Sequence, residues 1–476
     1  MNSIEFFLNT LEKNNIDYVH WKSNTNIEQA LSGTDDLDIL VNPLQKEKIY
    51  RLFKEQNIIR GYSKKDAWQH EIFHYFGMDI EKKELIHIHL HFLLEVGYDF
   101  DKSVNLPIVK KYIDSKIKYK CVYLPSVENE YILLIIRLLL KNAFVPFLMM
   151  LPTAQYRMYK KQKSGVVKGS AYSEYIDLKN RSDRDKLVIA LESTFPFIDK
   201  SFFYECEQVI EKNDSLQEYF KYSKKLKKML VPYSYHNELT SFIISFMRIN
   251  KDRFNKLFKN KAKFKKIPEN GGRIFAFVGG DGAGKSSNIE KLKSILKGHF
   301  YLRTIHIGRP KKVFLGNVSR VISRFFRLLN KKELEQVFLL LAKAVERNKA
   351  FEEAKAIRNK GGIVILDRIP VDGITSMDCP RIHTIDNNKY KLLSKLEEKL
   401  YSSITDVDRM IVLKLDPQIA IKRRPEDDEA ELLIRSGQIW EKDFSNMKNT
   451  YVIDTSNTFD YVEKQVLNII WESLNE

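Results

Sequence analysis

A glycine-rich run at positions 278–287, VGGDGAGKSS, has the residue types and spacing that most directly imply chemistry. Gly279, Gly284, Lys285 and Ser286 follow the pattern G-x-x-x-x-G-K-S. Such a loop brings backbone N–H groups up to phosphate oxygens, with the lysine on the β- and γ-phosphates and the hydroxyl on Mg²⁺. The run therefore predicts that the chain binds ATP and Mg²⁺. The loop residues predicted to hold the nucleotide are Gly279, Asp281, Gly282, Gly284, Lys285, Ser286 and Ser287.

The sequence on either side of this loop predicts the strand and the helix that must position it. Residues 273–278 read RIFAFV, an apolar run typical of a buried strand. Beyond the loop, apolar residues recur at helical spacing, and they are Ile289, Leu292, Ile295 and Leu296. We expect the positive end of that helix to face the phosphates. The remaining residues alternate strand and helix patterns, as a parallel sheet with crossover helices would.

Two later segments add charged residues suited to phosphoryl transfer. Residues 361–368, GGIVILDR, predict a strand that ends in Asp367 and Arg368. An acid at this place suits Mg²⁺ or its water, and the neighbouring guanidinium suits an acceptor phosphate. Residues 409–417, RMIVLKLDP, predict a strand that turns into a helix. The arginines after it are predicted to form a mobile lid over the phosphates, and they are Arg423, Arg424 and Arg435.

These motifs, in this order, resemble those of the thymidylate kinase family over residues 273–476. The matching segments read FAFVGGDGAGKSS, ILDR and VLKLDPQIAIKRR. The resemblance implies an α/β fold with a parallel sheet, and transfer of the γ-phosphoryl group of ATP to a small acceptor. It also implies that Asp281 faces the sugar of the acceptor nucleotide and that Arg368 grips the acceptor phosphate. Lys285 and Ser286 would bind the donor phosphates and Mg²⁺.

The positions that read the acceptor base in that family differ in this chain. Val278 stands where the family usually has Glu, and the family's Arg-Glu-Pro segment appears as Gly308-Arg309-Pro310. After Arg368 the chain reads IPVDGITSMDCPRI instead of the usual Ser-rich and Tyr-Gln positions. We therefore predict an acceptor that is a nucleoside monophosphate or a related small molecule other than plain thymidylate. Within the altered segment, the charged residues suited to a different acceptor, or to a solvated loop, are Asp372, Asp378 and Arg381.

Paired carboxylates near the N-terminus define a second candidate site. Asp36 and Asp38 alternate along a predicted strand, so both carboxylates are expected on one face. Two such acids are suited to bridging two Mg²⁺ ions. Lys22 and Ser23 follow an earlier predicted strand. The combination resembles the branch of the nucleotidyltransferase superfamily that has Lys-Gly followed by Asp-x-Asp, and the resemblance implies an α+β fold of that type.

A later strand supplies histidines where that superfamily often has a third carboxylate. His87, His89 and His91 share one face because side chains of a strand alternate. His89 is predicted to belong to the site as a metal ligand or a phosphate contact. A hydrogen-bonded histidine in a small sheet is the alternative interpretation. The alternative function is nucleotidyl transfer to RNA, protein or a small molecule.

Length and composition predict a folded chain of several domains. The 476 residues exceed one ordinary core, and 43% are hydrophobic while 30% are charged. We predict an α/β chain whose parts are a nucleotidyltransferase-like domain at 1–115, a mostly helical domain at 116–250, a basic linker at 251–272 and a kinase-like domain at 273–476.

The net charge of +17 favours acidic partners: nucleotides, nucleic acid or an anionic membrane surface. Tyrosines and phenylalanines are interleaved with basic residues at 156–168, 219–228 and 251–266. A third hypothesis is therefore a nucleotide-regulated protein that binds nucleic acid, with solvated helix faces as the alternative. The sequence also leaves open a homodimer.

Cysteine usage and hydropathy bear on the compartment. Three widely separated cysteines predict neither a disulfide framework nor a cysteine zinc site, and they are Cys121, Cys206 and Cys379. The N-terminus has no basic, signal-like region. The apolar run at 131–151 contains charges and a proline, so it predicts a buried helix and turn rather than a membrane span. A cytoplasmic location is the simplest expectation.

Overall fold

The chain forms two compact units, one of residues 1–77 with 86–264 and the other of residues 78–85 with 265–476. The computed structural model describes residues 3–62, 72–98, 101–141, 166–257, 265–371, 373–374, 379–386 and 388–476.

The first unit is built on a mixed sheet with strand order β1-β2-β5-β4-β3. The five strands are β1 (Tyr18–His20), β2 (Leu37–Val41), β3 (Ile59–Tyr62), β4 (Ile72–Asp79) and β5 (Glu84–His91). β1 pairs antiparallel with β2, and β2 pairs parallel with β5. Two antiparallel hairpins follow, made of β6 (Leu94–Tyr98) with β7 (Asp101–Leu106) and β8 (Ile117–Tyr119) with β9 (Val122–Leu124).

Helices cover this sheet and extend the unit. They are α1 (Ser3–Lys13), α2 (Ile27–Ser32), α3 (Lys46–Glu55), α4 (Val109–Asp114), α5 (Val127–Lys141), α6 (Ser170–Arg181), α7 (Arg184–Ser193), α8 (Lys200–Lys212), α9 (Leu216–Met229) and α10 (Glu238–Leu257). α5 is buried along nearly its whole length, as predicted for the start of the apolar run. The rest of that run lies outside the described residues. None of the described helices combines the length and apolar character that crossing a bilayer requires.

Two hydrophobic clusters lie on opposite faces of this sheet, because alternate strand residues point to opposite sides. Leu40 belongs to the cluster that also contains α5 and the helices after it. Ile39 and Val41 belong to the cluster that contains α1 and α3. The helical segment predicted as a separate domain therefore shares a core with the strands near the N-terminus.

The second unit contains a five-stranded sheet in which every pairing is parallel. After the short β10 (Ile267–Pro268), its strands are β11 (Arg273–Gly279), β12 (Leu302–His306), β13 (Ile363–Asp367), β14 (Arg409–Lys414) and β15 (Thr450–Asp454). Their order is β12-β13-β11-β14-β15, so β11 is central. The predicted parallel sheet is thus confirmed.

Helices connect these strands, and one more helix follows the last strand. They are α11 (Lys285–Leu296), α12 (Phe314–Leu328), α13 (Lys332–Arg358), α14 (His383–Asp386), α15 (Lys391–Ser402), α16 (Pro417–Arg423), α17 (Glu429–Glu441) and α18 (Phe459–Asn475). Local sequence explains several starts. The Asp416 side chain accepts from Gln418 N before a proline at the first helical position, and the Asp428 side chain accepts from Glu431 N. These caps place α16 and α17 on either side of a short loop.

Residues 251–272, predicted as a basic linker, differ in part from that prediction. Residues 251–257 continue helix α10, and residues 258–264 lie outside the described part of the chain. The lysines and arginines at 251–257 do not break a helix, because both residue types have good helix propensity. After β10, a turn at residues 269–270 and the pair Gly271-Gly272 lead into β11.

Backbone atoms pack closely around Gly272, just before the start of β11. A Cβ at this position would lie 2.3 Å from Arg358 O and 2.5 Å from Gly362 O, both backbone atoms that cannot rotate away. We expect Gly272→Ala to destabilise the protein by about 1–3 kcal/mol, measured as a lower midpoint of thermal unfolding. Gly298→Ala is the control, because nothing lies within 4 Å of its added Cβ. Equal midpoints for the two variants would contradict this packing.

Candidate functional site

The glycine-rich loop lies at the carboxyl end of β11, between strands β13 and β14. The chain reaches β12 and β13 on one side of β11, and β14 and β15 on the other. This reversal of strand order opens a crevice at the carboxyl ends of the strands, where open α/β sheets bind ligands. The sequence prediction of strand, loop and helix is thus realised at the switch point of the sheet.

Glycines permit the turn that joins β11 to α11. Gly282 and Gly284 have φ angles of 81° and 85°, in the left-handed region that favours glycine. At position 280 a glycine is favoured because a larger side chain would not fit. A Cβ there would lie 2.7 Å from Ser436 Oγ on α17. Helix α11 begins at Lys285, four residues before Ile289, the first apolar residue of the predicted helix. Its N-terminus therefore adjoins the loop.

Lys285 is buried against the loop that precedes it, with only 7% of its surface exposed. Its ammonium donates to the carbonyl oxygens of Gly279 and Gly280, each at 2.8 Å. Burial and the nearby charge of Arg368 lower the pKa of Lys285 to about 8, although Asp281 and Asp367 act in the opposite direction. A cation held this way suits a site that receives an anion.

Oxygen groups near the loop fit a magnesium ion. Ser286 and Ser287 are exposed in the first turn of α11. Asp367 ends β13 beside Phe277 of β11, and its Oδ1 is buried without a hydrogen-bond partner among the described residues. A buried carboxylate oxygen without a partner is costly unless a cation or water satisfies it. Since Mg²⁺ prefers carboxylate and hydroxyl oxygens, Ser286 and Asp367 are the residues that would hold it.

Asp281 connects the loop to two arginines. Its Oδ1 lies 3.1 Å from Arg368 Nη2, and its Oδ2 lies 3.1 Å from Arg435 Nη1. Burial alone would raise the pKa of Asp281, but Lys285 and the two arginines outweigh it and lower the pKa. Arg368 has φ 72°, a conformation that costs a non-glycine residue about 1–3 kcal/mol and that clusters at functional sites.

An arginine-rich cleft of about 320 Å³ adjoins Asp281. Its charged lining residues are Asp281, Arg309, Arg368, Arg424, Asp427, Asp428, Glu431 and Arg435. The structure thus brings together three arginines singled out from the sequence, Arg368, Arg424 and Arg435. It adds Arg309, which the sequence comparison treated only as part of an altered motif. The sequence feature that could have identified Arg309 is its position shortly after β12, because the end of that strand faces the same crevice.

The remaining arginines selected from the sequence lie apart from this lining. Arg423 donates to Thr455 O at 2.9 Å and to Gly282 O at 3.4 Å, so it braces the loop. Arg381 lines a neighbouring cleft that also includes Arg435. The other two charged candidates of the altered segment, Asp372 and Asp378, lie outside the described residues.

The first unit assembles the second candidate site on β2 and β5. Asp38 pairs in register with His89, and Lys22 Nζ lies 2.9 Å from Asp38 Oδ1. Asp36 lies just before β2, yet its Oδ1 is 2.6 Å from His87 Nδ1. Ser23 is placed differently, because its backbone N–H donates to Glu174 Oε1 at 3.1 Å.

Electrostatics keep both aspartates charged. Burial opposes ionisation of Asp38, but Lys22 and the neighbouring histidines hold its pKa well below the usual range. The pKa of Asp36 is also lowered, because the hydrogen bond and charge of His87 outweigh burial. In contrast, burial lowers the pKa of His91 to about 3, so that imidazole is neutral. Nucleotidyl transfer at this site stays a prediction from the sequence.

No family model and no curated protein matches the sequence. Solved structures with some likeness include the thymidylate kinase of Candida albicans, at 20% identity and a TM-score of 0.30, over 43% of this chain and 93% of that one. The thymidylate kinase of Ehrlichia chaffeensis has 17% identity and a TM-score of 0.26, over 42% and 99%. The deoxyadenosine kinase of M. mycoides, with bound dATP, has 17% identity and a TM-score of 0.28, over 41% and 98%.

The lowered pKa of Lys285 predicts a pH-dependent stability. The unfolded lysine keeps its proton up to its usual pKa of 10.5, whereas the folded one loses it at about 8. Between these values the unfolded state binds more protons, so the free energy of unfolding rises with pH, by at most about 1.4 kcal/mol per unit. We expect wild type to gain stability relative to Lys285→Met over this range, measured by urea unfolding at several pH values.

The matched control for this measurement is Lys291→Met, since Lys291 lies exposed on the same helix. The stability difference between wild type and this control is expected to stay level as the pH rises. A level difference for Lys285→Met as well would show that the Lys285 ammonium is not destabilised by burial.

Proposed function

We propose that the second unit is an ATP- and Mg²⁺-dependent phosphotransferase with a small anionic acceptor, a nucleoside monophosphate or a related phosphate-bearing molecule. One observation carries the proposal. Asp281, inside the glycine-rich loop, pairs with Arg368 and Arg435 of the adjoining cleft. A loop suited to donor phosphates and an arginine-lined cleft suited to an acceptor phosphate therefore meet at one residue.

The loop and its helix would hold the donor. Backbone N–H groups at the start of α11 and the ammonium of Lys285 would bind the β- and γ-phosphates. Ser286 and Asp367 would hold Mg²⁺, which neutralises charge that develops on the phosphates. The lysine already lies over the loop, with its charge destabilised by burial, so a phosphate anion would restore a favourable partner.

The cleft would bind and orient the acceptor. Arg309 and Arg368 are suited to the acceptor's phosphate, since a guanidinium binds phosphate oxygens bidentately. Acids in the same cleft are suited to the hydroxyl or amino groups of the acceptor, and they are Asp427, Asp428 and Glu431. An acceptor oxygen would then attack the γ-phosphorus in line, forming one P–O bond as the bond to the β-phosphate oxygen breaks.

The segment from Arg424 to Glu431 would act as the lid expected from the sequence. Its residues are exposed in the loop between α16 and α17 and in the first turn of α17. Arg424 pairs with Glu426 at 3.3 Å, and Arg435 pairs with both Glu431 and Asp281. Bound phosphates would compete for these guanidinium groups, so exchange of ion pairs would close the segment over the reactants and exclude water.

Removal of the Lys285 ammonium tests the donor site. We expect Lys285→Ala to lower kcat/KM by at least about 100-fold, because the variant loses charge stabilisation of the transferring phosphoryl group. ADP formation is measured with ATP, Mg²⁺ and a panel of nucleoside monophosphates and sugar phosphates. Lys291→Ala on the same helix is the control and should retain wild-type turnover. Full turnover in Lys285→Ala would end the proposal.

Arg309 tests the acceptor site separately. We expect Arg309→Ala to raise KM for the acceptor by about 10- to 100-fold, the loss of a charged hydrogen bond, with KM for ATP unchanged. Arg303→Ala is the control, because Arg303 is exposed on β12 and does not line the cleft. A rise in KM for ATP in place of the acceptor would assign the cleft to the donor.

A further inference from the structure

A cluster of three imidazoles lies on β4 and β5 in the first unit, apart from the proposed kinase site. The ligand nitrogens of His74, His87 and His89 all lie within 4.8 Å of one another. His74 Nδ1 is 3.0 Å from His87 Nε2. His74 was not singled out in the sequence, since only the pairing of strands brings it beside the other two.

Carboxylates stand behind two of these rings. Asp36 Oδ1 lies 2.6 Å from His87 Nδ1, and Asp38 Oδ1 lies 3.2 Å from His89 Nδ1. When each Nδ1 donates its proton to the carboxylate, each Nε2 presents a lone pair. This carboxylate–histidine arrangement is the usual support of a histidine metal ligand, because it fixes the tautomer and raises ligand basicity.

The Nε2 atoms of His87 and His89 are the nitrogens that would bind a cation. His87 Nε2 faces His74 Nδ1, as given above. His89 Nε2 is buried without a hydrogen-bond partner among the described residues, and lies 3.5 Å from Asp36 Oδ2. A buried nitrogen without a partner is costly unless something else satisfies it.

Ring packing holds this geometry. Phe76 stacks on His87 with centroids 4.5 Å apart and planes 5° from parallel. His89 stands nearly perpendicular to both other rings, at 83° to His74 and 83° to His87. The rings of His74 and His87 are nearly parallel, at 22°. Packing thus fixes all three imidazoles, and little rotamer entropy remains to be lost on binding an ion.

We propose that His74 Nδ1, His87 Nε2 and His89 Nε2 form a three-imidazole site for a transition metal, best matched by Zn²⁺. Tetrahedral Zn²⁺ with Zn–N bonds of about 2.0–2.1 Å needs ligand atoms about 3.3 Å apart. The distances of 3.0 Å between His74 and His87 and 3.5 Å between His89 and Asp36 bracket that value. Asp36 Oδ2 or a water completes the fourth position.

Ligand type selects the metal. Imidazole nitrogens suit Zn²⁺ and its neighbours in the first transition row, whereas Mg²⁺ takes oxygen ligands. The site therefore differs in metal and ligands from the paired-carboxylate magnesium site that the sequence suggested for Asp36 and Asp38. In this arrangement Asp38 orients His89 instead of binding the ion.

A competing set on β2 and β5 is less suited to a cation. Asp38, His89 and His91 also have ligand atoms within 4.8 Å of one another. However, the Lys22 ammonium lies 2.9 Å from Asp38 Oδ1 and would repel a second cation there. Both sets require His89, so one ion occupies one set, and the electrostatics favour His74 and His87.

Zinc binding by the full-length protein tests this assignment. The protein is stripped with EDTA and dialysed, and Zn²⁺ alone is titrated against a chromophoric chelator. We expect one tight equivalent in wild type, and at least tenfold weaker binding in His74→Gln and in His89→Gln. His383→Gln, at a histidine in the second unit, is the matched control and should bind as wild type does.

Two further measurements make the result decisive. Co²⁺ bound to wild type should show the intense visible bands of a tetrahedral site, a readout that needs no variant. Thermal unfolding in EDTA checks that each variant folds, and added Zn²⁺ should raise the midpoint in wild type and in His383→Gln, but much less in His74→Gln and in His89→Gln. Absence of a tight equivalent, an octahedral Co²⁺ spectrum, or zinc binding lost in His91→Gln but kept in His74→Gln would overturn the proposal.

Discussion

The burial of the Lys285 ammonium is the interaction on which the second unit's site depends. A buried cation is costly, and here it is stabilised by two loop carbonyls and by nearby acids. The loop can take this shape because Gly282 and Gly284 adopt left-handed angles and Gly280 leaves room for α17. The backbone geometry at the end of the central strand therefore sets both the conformation of the loop and the position of the Lys285 ammonium.

Charge balance extends from this point into the cleft. Asp281 lies near the lysine and contacts two arginines, so cations that would repel one another are held together by one carboxylate. Arg368 reaches this position with a strained, positive φ angle. An anionic reactant would compete with the acids of the cleft for these arginines. Carboxylates also orient neighbouring side chains in the first unit, where Asp36 and Asp38 contact imidazoles instead of guanidinium groups.

Much of the kinase-like site was predictable because its residues are close in sequence or lie at strand ends. The strand before the loop, the helix after it and the Asp367-Arg368 pair follow from apolar runs and their terminating residues. The cleft was less predictable. Arg309 and Arg435 belong to elements far apart in the chain, and only the strand order β12-β13-β11-β14 brings them to one crevice. Arg423 shows the opposite case, since the lid motif does not reveal that its guanidinium binds backbone carbonyls.

The sequence by itself determined the glycine-rich loop, the parallel sheet that follows from alternating strand and helix patterns, and the shared face of His87, His89 and His91. These features depend on periodicity and on local backbone chemistry, which a short window contains. The tertiary structure alone decided which charges meet. Parallel pairing placed Asp38 opposite His89, and the neighbouring strand β4 supplied His74. Strand order is set by how whole layers bury their apolar faces, so no local pattern records these distances.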